Sequence, residues 1–93
     1  MNLQGKLKTK ISEKSGVSEK TNKPWKIAEF LLEVPARVNY MVCFKVRGAD
    51  LIAKFEAHIG KEVVVDLGVE SHEYNGRWFT EAGAWGIELC VNH

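Results

Sequence analysis

The stretch that decides the fold is GADLIAKFEAHIG, residues 48–60. Its apolar residues recur at the spacing of a helix that buries one side, namely Leu51, Ile52, Phe55 and Ile59. Asp50 is a favourable N-cap residue, and Gly60 is a favourable residue for ending a helix. The stretch therefore predicts one short helix. The segments of alternating hydrophobicity on either side of it predict strands.

The first strand is predicted at the amino end of the chain. Leu3, Leu7 and Ile11 occupy one side of it and lysines occupy the other, which is the period-two pattern of a half-buried strand. The residues between Ser12 and Pro24 are polar and predict a flexible loop of about a dozen residues.

The second and third strands are predicted at Trp25–Val34 and Val38–Val46. The core-facing residues of the second strand are Ala28, Phe30, Leu32 and Val34, with Trp25, Glu29 and Glu33 on its other side. In the third strand Val42, Phe44 and Val46 face one way, and Met41, Cys43, Lys45 and Arg47 face the other.

Two strands are predicted after the helix, Lys61–Tyr74 and a last strand that begins at Arg77. Asn75-Gly76 between them is the strongest short signal for a two-residue hairpin turn. Such a turn pairs Tyr74 with Arg77, Glu73 with Trp78, His72 with Phe79 and Val69 with Ala82. We expect burial of the residues with core-side parity, which are Val63, Val65, Leu67, Val69 and Trp78. Trp85 is also expected in the core, after a bulge near Gly83 that resets the facing of the last strand.

The order of the elements points to one fold. Five strands with a helix between the third and the fourth are the order of an OB-fold, an all-β Greek-key barrel that binds oligonucleotides in many proteins. An SH3-like barrel is the alternative, and the position of the helix favours the OB-fold. Since 93 residues is the size of one domain, we expect a single OB-fold domain over residues 1–93.

Several segments also resemble those of a known family. They are NKPWK (22–26), GKEV (60–63) and, most specifically, ESHEYNGRWFT (70–80) followed by Ala84-Trp85. On these residues the chain resembles an uncharacterised bacterial and phage family of small OB-fold proteins similar to single-stranded-DNA-binding proteins. The resemblance covers nearly the whole chain. It implies the OB-fold and favours binding of single-stranded DNA.

The composition argues against several classes of protein. Hydrophobic residues make up 45% of the chain and charged residues 27%, as in a folded globule. No apolar run reaches the roughly 18–20 residues of a membrane-spanning helix, and the amino end lacks the apolar stretch of a signal peptide. We therefore expect a soluble, cytoplasmic protein without a membrane partner. Cys43 and Cys90 are expected as unpaired core or strand residues in a reducing compartment.

Residues with the spacing of a catalytic, metal or cofactor site are not found. The chain has no phosphate-binding loop, no zinc-protease motif, no Cys-x-x-Cys and no nucleophile elbow. His72 and Glu73 are neighbours on a strand and point to opposite faces. Cys90 and His93 would need a distant third ligand to hold a metal. We expect no enzyme, no cofactor and no metal.

The charge is unevenly distributed. The net charge is only +1, but Met1–Lys26 holds seven lysines and two acids, and residues 27–93 hold six basic residues and ten acids. A local positive potential of this kind can steer a phosphate backbone. The alternative is that the lysines protect an edge strand from aggregation.

The candidate nucleic-acid-binding residues combine cations with aromatic rings: Lys6, Lys8, Lys10, Lys14, Lys20, Lys23, Trp25, Lys26, Arg47, Tyr74, Arg77 and Phe79. Stacking of bases on aromatic side chains contributes about 1–3 kcal/mol per base. Trp25 could instead cover the end of the barrel, and Tyr74 and Arg77 could simply stack on each other. Lys45 could extend the groove with Arg47 or pair with carboxylates.

Two functions follow from this interpretation. The first is sequence-independent binding of single-stranded nucleic acid, DNA or RNA, in replication, repair or recombination. The second is a protein-interaction or assembly module, with or without self-association, because a fold does not fix a function. The first requires one continuous trough that joins the amino-terminal lysines to Trp25.

Overall fold

Five strands and one helix form the structure, a computed structural model that describes residues 2–90. The elements are β1 (Asn2–Val17), β2 (Pro24–Val34), β3 (Tyr40–Arg47), α1 (Ala49–Glu56), β4 (Glu62–Tyr74) and β5 (Arg77–Leu89). The strands form a closed barrel in the order β1-β2-β3-β5-β4, with β4 paired to β1. The predicted OB-fold, with its helix between the third and fourth strands, is confirmed.

The core is built from the alternate residues that the sequence pattern predicts. Phe30 and Phe44 are buried inside the barrel, and their ring centroids lie 5.4 and 5.6 Å from that of Phe55. Phe55 and Ile52 are the buried residues of α1, so this helix packs against the barrel through them. The helix is amphipathic, as expected, but it ends at Glu56.

The two ends of α1 differ from the prediction. Gly48, with a φ of 97°, is the N-cap residue, and Asp50 lies in the first helical turn. Asp50 still has a favourable position there, because a carboxylate interacts well with the positive end of the helix dipole. Ile59 lies beyond the helix and is exposed, so its expected place in the apolar stripe is wrong.

Strand β1 is longer and less regular than predicted. It continues to Val17, so the expected loop from Ser12 is reduced to residues 18–23. Lys8 and Ile11 are extra residues at two register shifts against β2. Each extra residue reverses the facing of the chain that follows. Ile11 is therefore 52% exposed, and its predicted core position is wrong.

The hairpin between β4 and β5 has the predicted turn. Asn75 and Gly76 both have positive φ, and all four predicted cross-strand pairs are observed. The predicted bulge also exists, and its extra residue is Trp85, because Leu67 pairs with Ala84 whereas Asp66 pairs with Gly86.

Burial along this hairpin ends earlier than predicted. Val63, Val65 and Leu67 are buried, whereas Val69 is 55% exposed, Trp78 68% and Trp85 58%. The expected core positions of Val69, Trp78 and Trp85 are wrong. The outer parts of β4 and β5 extend beyond the barrel, so Val69 and Trp78 lie on the same side of the hairpin as the core residues but remain exposed. Within residues 2–90, no helix has the length and apolar character of a membrane span.

Candidate nucleic-acid interface

One row of outward-facing residues crosses the sheet near the start of β2 and at the end of β3. Ile27 pairs with Lys14 of β1 on one side and with Arg47 of β3 on the other. Cross-strand partners share a face, so the two cations flank an apolar residue on the outside of the barrel. Trp25 lies two positions from Ile27 along β2 and therefore has the same facing.

Arg47 joins this row to a second aromatic residue. It lines one pocket together with Trp25, Ile27 and Pro24, and a second pocket together with Lys45 and Trp85. The surface formed by Lys14, Trp25, Arg47 and Trp85 is called the two-tryptophan face below. Both of its indole rings remain about half exposed, so each is accessible to a ligand.

Each tryptophan of this face lies against a glycine of the neighbouring strand. Trp25 pairs with Gly16, and its ring occupies the space where a side chain at Gly16 would begin. The ring of Trp85 occupies the corresponding space above Gly68. Trp25 is 43% exposed where the β1–β2 turn enters β2, and its role in stacking stays a prediction.

The alternative weighed for Lys45 is the one observed. Its Nζ lies 2.8 Å from Oε1 of Glu81, and this hydrogen bond lowers the pKa of the Glu81 carboxyl. Glu81 and Glu70 both line the pocket beside Trp85. The free positive charge at this pocket therefore comes mainly from Arg47.

Two of the candidate lysines belong to an ion-pair cluster on the other side of the β1–β2 ladder. Nζ of Lys10 lies 3.1 Å from Glu13 and 3.3 Å from Glu56, and Nζ of Lys26 lies 3.2 Å from Glu13. The hydrogen bond from Lys10, followed by that from Lys26, lowers the pKa of Glu13, and the Glu13 hydrogen bond raises the pKa of Lys10. A phosphate would have to displace these carboxylates.

The amino-terminal lysines do not form the expected row on one face of β1. Lys6 pairs in register with Glu33, Lys8 is a bulge residue 3.9 Å from the same carboxylate, and Lys10 lies opposite the buried Phe30. Glu33 lies eight residues from Trp25 along β2, or about 26 Å at the rise of a strand. The expected trough from these lysines to Trp25 is therefore absent, because antiparallel pairing places Lys6 and Lys8 at the far end of β2 and Lys10 is engaged in ion pairs. The amino-terminal lysines do not meet the requirement set above for nucleic-acid binding, so a binding site at Trp25 has to take its cations from Lys14 and Arg47 instead.

The remaining candidates lie in the turn between β1 and β2 and near the tip of the β4–β5 hairpin. Lys20 and Lys23 are exposed in the turn of residues 18–23, where Ser18 and Lys23 are joined by a backbone hydrogen bond of 2.9 Å. Tyr74, Arg77 and Phe79 are exposed near the tip of the β4–β5 hairpin. The register places these three on one side, opposite Val69 and Ala82, as predicted.

Comparison with protein families identifies the chain. Residues 2–88 match the family described as Domain of unknown function (DUF3127). The chain belongs to the DUF3127 family. Comparison of this DUF3127 domain with curated proteins finds no match.

The chain is also similar to solved structures. The crystal structure of the mitochondrial single-stranded DNA binding protein Rim1 from S. cerevisiae matches with a TM-score of 0.67 and 15% identity, over 100% of this chain and 96% of that one. A small single-stranded DNA-binding protein from Streptomyces coelicolor matches with a TM-score of 0.49 and 16% identity, over 98% and 93% of the two chains. At such identities the first similarity establishes the OB-fold of the DUF3127 domain.

Sequence reasoning missed Trp85 as a surface residue. Gly68 and Gly83 form a cross-strand pair, and the ring of Trp85 lies over Gly68. This pair of glycines leaves a shallow surface on which a large ring can lie, so it was the available signal.

The cysteines of the DUF3127 domain are both free thiols, Cys43 exposed and Cys90 partly buried. Cys43 is a strand residue, and it faces outward on β3 with Lys45 and Arg47, as its position in the alternating pattern predicted. Burial and the hydrogen bond to Glu29 raise the pKa of the Cys43 thiol. Among residues 2–90, His, Cys, Asp and Glu side chains do not form a group of three that could hold a metal; His93 lies outside the described residues.

Proposed function

We propose that this protein binds single-stranded nucleic acid, DNA in the first place, by phosphate contacts and base stacking. The observation that carries the proposal is the position of Arg47 between two accessible tryptophans, Trp25 and Trp85, on adjoining pockets. The face of β2 and β3 and the loops β1–β2 and β4–β5 are where OB-folds take oligonucleotides. Trp25 and Arg47 of the two-tryptophan face lie on β2 and β3, and Lys14 and Trp85 lie on the adjoining strands β1 and β5.

The arrangement favours a single strand over a duplex. An indole ring stacks on the flat face of a base, and in a duplex those faces are already covered by neighbouring bases. Every base has such a face, so binding by stacking is tolerant of sequence. Arg47 and Lys14 supply charge for the backbone, which also carries no sequence information. A protein of this kind would act on exposed strands in replication, repair or recombination.

The fold alone does not decide between ligands, since OB barrels serve several functions. The structural likeness to Rim1 therefore supports the proposal only through the shared architecture. The chemistry of the two-tryptophan face adds the two groups that single-strand binding needs, a cation and accessible aromatic rings.

The direct test is fluorescence anisotropy of a labelled oligo-dT of about 16 nucleotides, the upper end of what one OB-fold covers. Trp25→Ala or Trp85→Ala should weaken binding about five- to hundredfold, from the ~1–3 kcal/mol of one stacked base. Trp78→Ala is the matched control, because Trp78 is also exposed, at 68%, but lies on the opposite side of the hairpin from Trp85. Equal losses for all three variants would show that the two-tryptophan face is not the site.

A second function is favoured by one observation, an open edge of β3. Within residues 2–90, the ladder between β3 and β5 covers Lys45 and Val46, so Tyr40–Phe44 has no strand on that side. Tyr40 and Met41 there are exposed. Open edges can accept a strand from another chain. Light scattering separates the two functions: self-association without an anisotropy change on oligo-dT, or on an RNA of equal length, would favour the assembly module.

A further inference from the structure

Two glycines give the tryptophans of the two-tryptophan face their positions. A Cβ built at Gly16 would lie 2.8 Å from Cζ2 and 3.0 Å from Cε2 of Trp25, so the indole ring would have to move to make room for it. A Cβ at Gly68 would overlap the six-membered ring of Trp85. Both contacts join a ring on one strand to the backbone of the neighbouring strand.

The backbone itself does not require glycine at either position. Positive φ is found at Gly48, Gly60 and Gly76, and Gly16 and Gly68 are not among these residues. A glycine in a strand makes the fold less stable than an alanine would, because it loses more conformational freedom on folding. At Gly16 and Gly68 this cost is offset by room for an indole ring.

The room matters because it fixes the ring before a ligand arrives. A half-exposed tryptophan on an open surface would sample several rotamers and would lose that freedom on binding. A ring that lies against the backbone of the next strand has fewer positions, so less entropy is lost when a base stacks on it. The accessible part of each ring then has a constant place relative to Arg47.

We propose that Gly16 and Gly68 are positioning residues that hold Trp25 and Trp85 as two fixed stacking platforms on either side of Arg47. Each platform takes a base of the single strand, and Arg47 takes backbone phosphate between them. The inference rests on the proposed function and adds that the two glycines affect the contacts with bases and leave the contacts with phosphates unchanged.

The test compares Gly16→Ala and Gly68→Ala with Gly86→Ala. The control glycine also lies in a strand, and its Cβ would meet Cβ of Asp66 at 3.6 Å, an ordinary contact distance. The probes are oligo-dT and a phosphodiester strand of the same length without bases. The Gly16 and Gly68 variants should bind oligo-dT about fivefold more weakly, the effect of losing part of one stacked base. All three variants should bind the strand without bases as the parent protein does.

A mutant cycle separates positioning from general damage to the fold. In a Trp85→Ala background the ring is gone, so adding Gly68→Ala should cost no further affinity for oligo-dT. Additive losses, or equal weakening on both probes, would overturn the inference and leave single-strand binding intact. If the parent protein binds neither probe, the proposed function itself is wrong. Thermal melting of each variant shows that binding is measured on folded protein.

Discussion

The dependence of binding on salt offers the sharpest prediction, with Arg47→Gln as the perturbation and Lys6→Gln as its control. Both residues are exposed cations on strands of the same barrel. Arg47 lies between the two tryptophans, whereas Lys6 pairs in register with Glu33 at the other end of β2. The two substitutions change the net charge equally, so a difference between them reports position.

The magnitude follows from counting the cations that are free to meet phosphates. Among the candidate cations on the two-tryptophan face and at the tips of the two hairpins, five make no ion pair with a described carboxylate, namely Lys14, Lys20, Lys23, Arg47 and Arg77, whereas Lys10, Lys26 and Lys45 are engaged in ion pairs. For single strands, log K falls with log salt at about −0.7 per phosphate contact. Five contacts give a slope of about −3.5, or a loss of about a hundredfold between 50 and 200 mM salt.

Removal of Arg47 should change that slope to about −2.8, and the loss over the same range should be about fiftyfold. Lys6→Gln should leave the slope at its original value. The assay is anisotropy of labelled oligo-dT at four or more salt concentrations. An unchanged slope for Arg47→Gln, or an equal change for Lys6→Gln, would refute the assignment of the two-tryptophan face.

Three further predictions concern the scaffold. Phe55→Ala should destabilise the protein by about 3–5 kcal/mol in urea unfolding, because it removes the ring that packs α1 onto the barrel core. Gly5→Ala should cost roughly 1–3 kcal/mol in the same assay, since its methyl group would overlap the carbonyl oxygen of Glu33. The pKa of the Glu13 carboxyl is lowered in the folded state by its hydrogen bonds to Lys10 and Lys26. These ion pairs therefore stabilise the protein fully at pH values above 4.5, the ordinary pKa of the carboxyl, and the stabilisation is lost as the pH falls through the lowered pKa. Glu13→Gln should therefore lower Tm at neutral pH, and this difference in Tm should shrink as the pH falls through the lowered pKa of Glu13, as followed by circular dichroism.

The parts of the fold that sequence reasoning predicted are those fixed by local rules. Alternation placed Phe30, Phe44 and Val65 in the core, and all three are buried. Asn75-Gly76 fixed the register of the hairpin from the turn to the bulge at Trp85, because a two-residue turn leaves only one pairing. The order of strands and helix then selected the barrel.

The errors share a physical cause. Residues 12–17 are polar, yet they form strand because β2 offers a partner for every one of them. Val69 and Trp78 have core-side parity, yet they lie where the hairpin has left the barrel. Parity tells which side of a sheet a residue faces, and it does not tell whether anything covers that side. How far the β1–β2 and β4–β5 hairpins extend beyond the barrel depends on tertiary structure, and a local sequence pattern does not predict it.

The same reach accounts for the division of labour among the aromatic residues. The core uses Phe30, Phe44 and Phe55, whereas all three tryptophans of the chain are at least 43% exposed. An indole left in water forgoes stabilisation that burial would give, at about 25 cal/mol per Å² of apolar surface. At Trp25 and Trp85 the neighbouring strand adds a glycine, which gives up further strand stability. The exposed indole rings and the glycines beneath them both lower the stability of the fold, and both lie on the two-tryptophan face beside Arg47. In the proposed complex, stacking of bases on the two rings would offset these losses.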